Sequence, residues 1–377
     1  MRVAIDYSAA LNQRAGIGRF VRNLTASLLA VDTADQFVLL YAAARGRERP
    51  ALPTGARVTP RRLPFSERWM TILWQRLNLR LPVEWFSGPI DVFHAPDFVL
   101  PPLRRARSVL TVHDLAFLLS PECADAKLRD YLMAAVPRSV RSASFVVADS
   151  ENTRNDVICL LGAAPERTAV VPGGVEPRFH PANATVIADL RHRLGLAAPF
   201  ILSVGMMEPR KNWQGLIQAY SLARARHHLP HLLVLAGPRG WLWESILEER
   251  ERSPFRNDVL FMGFVADEDL PALYSAADVF AFPSFYEGFG LPPLEAMACG
   301  TPVVVSNTAS LPEVVGDAGL QVPPQDVDAL AEALAQLVLD EPLRARLRQA
   351  ALERAATFTW ARAAERVLEV YKRVASA

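Results

Sequence analysis

The chain has 377 residues, of which 51% are hydrophobic and 21% charged, and its formal net charge is +1. This length predicts two domains, and the near-neutral charge argues against a nucleic-acid-binding protein that depends on bulk positive charge. The three cysteines, Cys123, Cys159 and Cys299, are too few and too scattered for a disulfide framework or a zinc site. We therefore expect a globular protein of a reducing compartment, the cytoplasm.

The first half alternates short apolar strands with helical patterns. It begins with MRVAIDYSA, a strand pattern without the features of a signal peptide, and no apolar run approaches the length of a membrane span. Strands are predicted at 3–5, 37–41, 57–63, 91–95, 108–112, 144–148 and 168–172. After the first strand, Gly16 and Gly18 open a helix. Such a loop can let a phosphate or sugar approach the backbone, or it can be a tight turn without a ligand.

A histidine directly follows the strand predicted at 108–112. His113 should project from the carboxyl end of that strand, the edge where parallel α/β sheets bind ligands. There it can contact a sugar hydroxyl or help to neutralise a diphosphate; the alternative is a structural histidine. His94 is a weaker candidate near the same edge.

The segment 65–85 combines aromatic and basic residues in one predicted helix, with Trp69 beside Arg68 and with Arg80 further on. Two interpretations are open. The favoured one is a domain helix whose tryptophans pack inward and whose arginines face water. The other is a basic amphipathic helix that lies on an anionic membrane surface.

The second half follows a predicted linker at 179–188 and repeats the alternation. Strands are predicted at 200–204, 231–236, 259–262, 279–282 and 303–305, and helices from 213 and at 270–276, 327–339, 343–355 and 357–377. Arg210 and Lys211 occupy the turn between the strand at 200–204 and the helix from 213. Fixed cations there suit a diphosphate, because they stabilise the negative charge of a leaving group.

The stretch 278–306 predicts a strand, a glycine-rich loop, a helix and a second strand. Glu287 lies in the loop, and Glu295 is expected in the first turn of the helix. Backbone N–H groups at Phe289, Gly290 and Leu291, together with the helix dipole, suit an anion. A phosphate could lie over these groups, with one carboxylate on each flanking sugar.

The sequence FYEGFGLPPLEAMACGTPVV, in which two glutamates enclose seven residues, resembles the signature of the retaining GT-B glycosyltransferases of family 4. The segments GIGRF, TVHDL and EPRKN are similar to loops of that family. The resemblance implies two Rossmann-like, doubly wound parallel-sheet domains facing across a cleft. Residues 1–180 would bind the acceptor, residues 181–356 would bind the donor, and a helix at 357–377 would return to the first domain.

The resemblance also implies roles for the candidate residues. Glu287 and His113 would contact the donor sugar, and Glu287 would stabilise an oxocarbenium-like state. Glu295 would bind the ribose, and the backbone near Phe264 the nucleobase. The groups expected to bind the donor diphosphate are Arg210, Lys211, Gly16, Gly18, Phe289, Gly290 and Leu291. The chain departs from the pattern at Met206, where many relatives carry an arginine; Arg210 is the preferred replacement.

The implied activity is transfer of a hexose, with retention, from a nucleotide sugar to a glycan or lipid-linked acceptor in polysaccharide or glycolipid assembly. Mannose from GDP-mannose is the preferred donor. No D-x-D motif with metal-ligand spacing occurs at a strand end, so we expect neither a metal nor another cofactor. A sugar-nucleotide epimerase and a non-catalytic nucleotide-sugar-binding protein are the alternatives. Peripheral contact with the inner membrane surface stays open, and the oligomeric state cannot be read.

Overall fold

The computed structural model describes residues 1–13, 16–42, 52–77, 79–123 and 125–376. It divides into two compact units. The first comprises Met1–Leu118, Ala126–Gly174 and Thr359–Ala377, and the second comprises Leu119–Asp125 and Val175–Phe358. The short segment 119–125 therefore belongs with the second unit, although it lies within the first half of the chain.

Each unit contains one parallel sheet. In the first, the order of the strands is β3-β2-β1-β4-β5-β6-β7, and in the second it is β10-β9-β8-β11-β12-β13. The strands are β1 Arg2–Asp6, β2 Gln36–Tyr41, β3 Val58–Arg62, β4 Val92–Ala95, β5 Arg107–Val112, β6 Phe145–Ala148, β7 Thr168–Val170, β8 Phe200–Val204, β9 Leu232–Ala236, β10 Val259–Gly263, β11 Val279–Phe282, β12 Val303–Ser306 and β13 Leu320–Val322. Both orders are doubly wound, which confirms the predicted fold class.

Helices cover both faces of each sheet, which is why the central strands β4, β11 and β12 are buried along their whole length. The α-helices are α1 Ser8–Asn12, α2 Ile17–Val31, α3 Glu67–Thr71, α4 Glu84–Ser87, α5 Ala116–Leu119, α6 Ala126–Ser142, α7 Glu151–Leu161, α8 Ala184–Leu194, α9 Trp213–His227, α10 Glu244–Arg252, α11 Leu270–Ala276, α12 Leu291–Ala298, α13 Leu311–Val315, α14 Val327–Leu339, α15 Glu341–Ala355 and α16 Trp360–Ala375. A π-helical segment, Ile72–Arg76, follows α3.

Three local predictions need correction. The segment 65–85 is not one helix but α3, the π-helical segment and α4, and Trp69 is 58% exposed rather than packed inward. The predicted linker at 179–188 contains the start of α8, whose first turn is capped by the side chain of Asn183. The sequence analysis did not predict α1, α5, α6, α10, α13 or β13. Helix α1 is only five residues long, and α6 contains Pro137.

His94 does not lie at the edge of the sheet, as the sequence suggested, but in the core of the first unit. Its Nδ1 atom is 2.7 Å from the Tyr371 hydroxyl on α16, and its Nε2 atom is 2.8 Å from the Thr111 hydroxyl on β5. Burial lowers the pKa of His94 to about 3. The residue therefore joins β4, β5 and α16 as a neutral imidazole.

This burial makes a prediction about acid stability. Above the unfolded pKa of about 6.5, His94 is neutral in both the folded and the unfolded chain, so it does not lower the free energy of unfolding. Below that pH, His94 is protonated in the unfolded chain but stays neutral in the folded chain, so the free energy of unfolding falls as the pH falls. Between pH 7 and 5.5 the free energy of unfolding should fall by about 1 kcal/mol more in the wild type than in His94→Gln, measured by urea denaturation. The exposed His180→Gln variant is the control. An equal pH dependence in wild type and His94→Gln would contradict the assignment.

Candidate functional site

The switch point of the second sheet brings the predicted diphosphate turn and the predicted glutamate loop together. Strands β8 and β11 are neighbours in the sheet, with Leu202 paired to Phe280. The turn after β8 and the loop after β11 therefore leave the same carboxyl edge, where doubly wound sheets bind ligands. The Phe285 N–H donates to the Arg210 carbonyl at 2.9 Å, which ties the loop to the turn.

Four charged side chains form a buried ion cluster there, made of Glu208, Arg210, Lys211 and Glu287. The Lys211 Nζ atom is 2.6 Å from Glu287 Oε1, and Arg210 Nη1 is 2.9 Å from Glu287 Oε2. The other end of the Arg210 guanidinium bonds Glu208 Oε1 at 2.7 Å. Glu287 and Lys211 are only 7% and 8% exposed. The cluster thus places two cations and a carboxylate in fixed positions.

Electrostatics keep Glu287 ionised. Burial alone would raise the pKa of Glu287, but Arg210 and Lys211 outweigh it and lower the pKa to about 2. Burial also lowers the pKa of Lys211, and the Glu287 carboxylate opposes that effect. At neutral pH the group facing the site is therefore a carboxylate, suited to sugar hydroxyls or to a developing positive charge.

Two polar residues that the sequence analysis gave no role support the cluster. Asn212 has a left-handed backbone with φ of 55°, and its Oδ1 atom accepts from the Gly215 N–H at the start of α9. Its Nδ2 atom donates to the carbonyls of Pro283 and Pro324. Ser310 Oγ lies 2.8 Å from the Glu287 carbonyl and 2.7 Å from the Phe289 carbonyl. Both residues fix backbone rather than touching the charged groups.

A signal for Asn212 was available, because asparagine is favoured both in the left-handed region and at helix N-caps. Ser310 had no such signal, since its partners lie more than twenty residues away in sequence.

The N-terminus of α12 borders the glutamate loop. Gly290 caps the helix with φ of 115°, a backbone conformation that favours glycine, and a Cβ atom there would also displace the Leu311 side chain, whose Cδ2 would be 2.8 Å away. Within the described part of the chain, the N–H groups of Phe289, Gly290 and Leu291 have no hydrogen-bond partner. Three such donors beside a helix start form a site suited to an anion.

Glu295 is the fifth residue of α12, so the prediction that it lies in the first turn is wrong. The helix begins at Leu291, one residue before the two prolines. Glu295 is 4% exposed, and its Oε2 atom accepts a hydrogen bond of 3.0 Å from the Tyr274 hydroxyl. Phe264, in contrast, is 59% exposed just beyond the end of β10. Met206 is 40% exposed and lies against Gly240.

The remaining candidates lie in the first unit. Gly16 is the N-cap of α2 with φ of 54°, and no atom of the described residues lies within 4 Å of where a Cβ atom would be. A Cβ atom at Gly18 would lie 2.0 Å from the Gln13 carbonyl oxygen. Close packing of α2 on the preceding turn therefore explains Gly18 without a ligand, while the predicted diphosphate role of this loop stays a prediction.

His113 lies at the carboxyl end of β5, where both of its ring nitrogens are already bonded. Nδ1 is 2.7 Å from the Asp149 carboxylate, and Nε2 is 2.8 Å from the Pro96 carbonyl. The Pro96 carbonyl can only accept, so Nε2 donates, and the Asp149 carboxylate beside Nδ1 favours a second proton there, which makes the ring an imidazolium. Burial would lower the pKa of His113, but Asp149 raises it to about 9. Contact with a sugar would require the Pro96 bond to break.

Among the described residues, no group of three or more His, Cys, Asp or Glu side chains could hold a metal ion, and no helix combines the length and apolarity needed to cross a bilayer.

Comparison with known proteins identifies the family. The model for glycosyl transferases group 1 matches residues 190–354, and the model for glycosyltransferase family 4 matches residues 14–179. The chain is 37% identical to the O-antigen chain mannosyltransferase B of Escherichia coli over 282 aligned residues. This alignment covers 74% of each of the two chains. The chain belongs to the family 4 glycosyltransferases.

Other relatives of this glycosyltransferase are longer. The serotype-specific mannosyltransferase WbdA of Escherichia coli is 36% identical over 274 residues, which are 71% of this chain but only 34% of WbdA. The fold of this glycosyltransferase is also found in solved structures. Anabaena HepE in complex with UDP and glucose matches with a TM-score of 0.74 and 23% identity, covering 98% of this chain and 99% of HepE.

The His113 imidazolium predicts alkaline sensitivity of this glycosyltransferase. Its folded pKa of about 9 exceeds the unfolded value of about 6.5, so its stabilising effect is complete below pH 6.5 and is lost as the pH rises through 9. The free energy of unfolding should fall by about 3 kcal/mol over that range through this group. In His113→Asn the corresponding fall should disappear, as measured by urea denaturation at pH 6.5 and 9. A fall of the same size in the variant would disprove the charged state.

Proposed function

We propose that the protein is a retaining hexosyltransferase that moves mannose from GDP-mannose to a glycan or lipid-linked acceptor in polysaccharide assembly. The observation that carries the proposal is the buried ion cluster, in which Arg210, Lys211 and Glu287 meet beside the N-terminus of α12. Cations and backbone donors suit a sugar diphosphate, and a permanently ionised carboxylate suits the sugar attached to it.

Mannose is supported by the relatives rather than by the pocket. The Escherichia coli protein at 37% identity is named an O-antigen chain mannosyltransferase, and WbdA is also named a mannosyltransferase. The base is less constrained, since HepE was solved with UDP. Guanine is our choice because GDP-mannose is the donor expected for such a sugar. The backbone near Phe264 is where the base would bind.

In the proposed mechanism, the donor diphosphate lies against Arg210, Lys211 and the N–H groups of residues 289–291. The bond between the anomeric carbon and the phosphate oxygen breaks, and its electron pair leaves with the diphosphate. The acceptor oxygen attacks from the same face and passes its proton to the departing phosphate oxygen. Glu287 stabilises the positive charge that develops on the sugar between these events.

The charges of the cluster support these roles, in which the cations bind the diphosphate and Glu287 faces the sugar. Glu208 and Glu287 balance Arg210 and Lys211, so the cluster is neutral before the donor arrives. A diphosphate adds negative charge, which draws the two cations and is shared with the α12 N–H groups. We propose that this protein charge replaces a metal ion, and that Glu295 holds the ribose hydroxyls.

Product analysis tests the proposed activity. With GDP-mannose and a mannosylated acceptor, the protein should form a new α-linked mannoside that keeps the anomeric configuration of the donor, seen by NMR, and should do so in the presence of EDTA. Inversion would contradict retention, and loss of activity in EDTA would contradict metal independence. Conversion of GDP-mannose without an acceptor would support the epimerase alternative, and binding without turnover would support the non-catalytic one.

Substitutions should separate binding from chemistry. Lys211→Ala should weaken donor binding by roughly tenfold to a hundredfold, because it removes a charged hydrogen bond. Glu287→Ala should lower kcat by about a hundredfold or more. Glu295→Ala should raise the Kd for nucleotide and leave kcat near the wild-type value. Calorimetric titration and steady-state kinetics measure both quantities.

The control for these three substitutions is Glu244→Gln, an exposed carboxylate on α10 in the same unit, and thermal melting confirms that each variant folds. Wild-type kinetics in both Lys211→Ala and Glu287→Ala would refute the assignments.

A further inference from the structure

The hydroxyl group of Ser284 is buried in the loop that carries Glu287. Ser284 is 0% exposed, and among the described residues its Oγ atom has no hydrogen-bond partner of ordinary geometry. Ser306, at the end of β12, is in the same state. A buried hydroxyl without a partner lowers the free energy of unfolding relative to alanine. Its presence beside a binding site therefore needs a physical reason.

The backbone on both sides of Ser284 is fixed by the turn that follows β8. The Asn212 side-chain amide donates to the Pro283 carbonyl at 3.1 Å, and the Phe285 N–H donates to the Arg210 carbonyl at 2.9 Å. Because these bonds hold the residues before and after it, the serine is itself held in place. Rotation about χ1 is then the motion that can bring its Oγ atom to a partner.

The Ser284 hydroxyl is near enough to Glu287 to affect its charge. Burial raises the pKa of Glu287, but its two cations and, after them, Ser284 lower it to about 2. The charged hydrogen bonds from Lys211 to Oε1 and from Arg210 to Oε2 occupy one acceptor position on each oxygen. A carboxylate has about four such positions. Glu287 can therefore also accept a hydrogen bond from a hydroxyl.

Ser306 is equally buried but lies on the opposite face of the sheet. The Lys211 Nζ atom is 4.9 Å from the centre of the Phe282 ring, so the ion cluster is on the face from which Phe282 projects. Val305 packs in the same part of the core as Phe282, whereas Val304 packs in the core on the other face. Alternate residues of a strand share a face, so Ser306 projects on the side of Val304. It is therefore a matched reference for a buried hydroxyl away from the ion cluster.

We propose that Ser284 is a positioning residue that donates a hydrogen bond to Glu287 once the donor diphosphate is bound. This role rests on the proposed function, in which the diphosphate draws Arg210 and Lys211 toward itself. Glu287 then loses charged donors while it remains buried, and an ionised carboxylate without donors is unstable in such surroundings. A hydroxyl on a fixed backbone can replace one of these bonds by rotating about χ1. Ser284 thus keeps Glu287 ionised and directed at the sugar while positive charge develops there.

Steady-state kinetics with GDP-mannose and a mannosylated acceptor test this role. Ser284→Ala should lower kcat by about tenfold to a hundredfold, the factor expected for a hydrogen bond to a charged group, with little change in KM. The acid limb of the kcat profile should move to higher pH by about one unit or more, because Glu287 loses a donor that favours its ionised form. Ser284→Thr keeps the hydroxyl and should retain most of the wild-type kcat.

Two comparisons separate a positioning role from a structural one. Ser306→Ala removes an equally buried hydroxyl and should keep the wild-type kcat. Neither alanine variant should melt at a lower temperature than the wild type, because each loses a hydroxyl that has no partner in the folded chain. In the Glu287→Ala background, Ser284→Ala should cause no further fall in kcat, because Ser284 acts through Glu287.

The outcomes distinguish the role of Ser284 from the proposed function. A wild type that transfers no sugar contradicts both. With an active wild type, an unchanged kcat and pH profile in Ser284→Ala overturn the role of Ser284 alone. An equal loss of kcat in Ser284→Thr or in Ser306→Ala also overturns it, as does a double variant slower than Glu287→Ala. Thermal melting verifies that all variants fold.

Discussion

The contact of Glu287 with Lys211 and Arg210 is the interaction on which the rest of the site depends. A carboxylate that is 7% exposed would be costly to keep ionised alone. Lys211 is almost as well buried, and the Arg210 side chain is 17% exposed. Each of these buried charges is stable because the opposite charges beside it offset the free energy lost on leaving water. The same property suits the proposed donor, because a diphosphate can take the place of a carboxylate as the partner of a buried cation.

The fold serves this contact by holding two short segments in register. The doubly wound order makes β8 and β11 neighbours, so the segments after them meet although Lys211 and Glu287 are 76 residues apart in sequence. Asn212 then fixes the turn through three backbone partners, and Ser310 fixes the loop through two. The hydrogen bonds of Asn212 and Ser310 thus fix the backbone that carries the cations and the carboxylate. Charges held in fixed positions stabilise a transition state better than charges on mobile side chains do.

Much of this was predictable from local patterns. Twelve of the described strands were predicted because parallel strands are short apolar runs, but the short β13 was not. Arg210, Lys211 and Glu287 were candidates because they follow such strands, whereas Glu208, which bonds Arg210, was given no role. What failed depended on distant contacts. Nothing local distinguishes His94, buried against Tyr371, from a histidine at the sheet edge. Glu295 lies in the second turn of α12 because the loop ends at Gly290 and the helix begins at Leu291. Trp69 points outward because other residues already fill the core of the first unit.

The most direct measurement is a crystal structure of the protein with a nucleoside diphosphate sugar bound. The account predicts the diphosphate within hydrogen-bond distance of the Lys211 ammonium, the Arg210 guanidinium and the N–H groups of residues 289–291, with Glu287 facing the sugar. A donor bound away from the β8–β11 edge, with Arg210 and Lys211 still paired only to carboxylates, would contradict it.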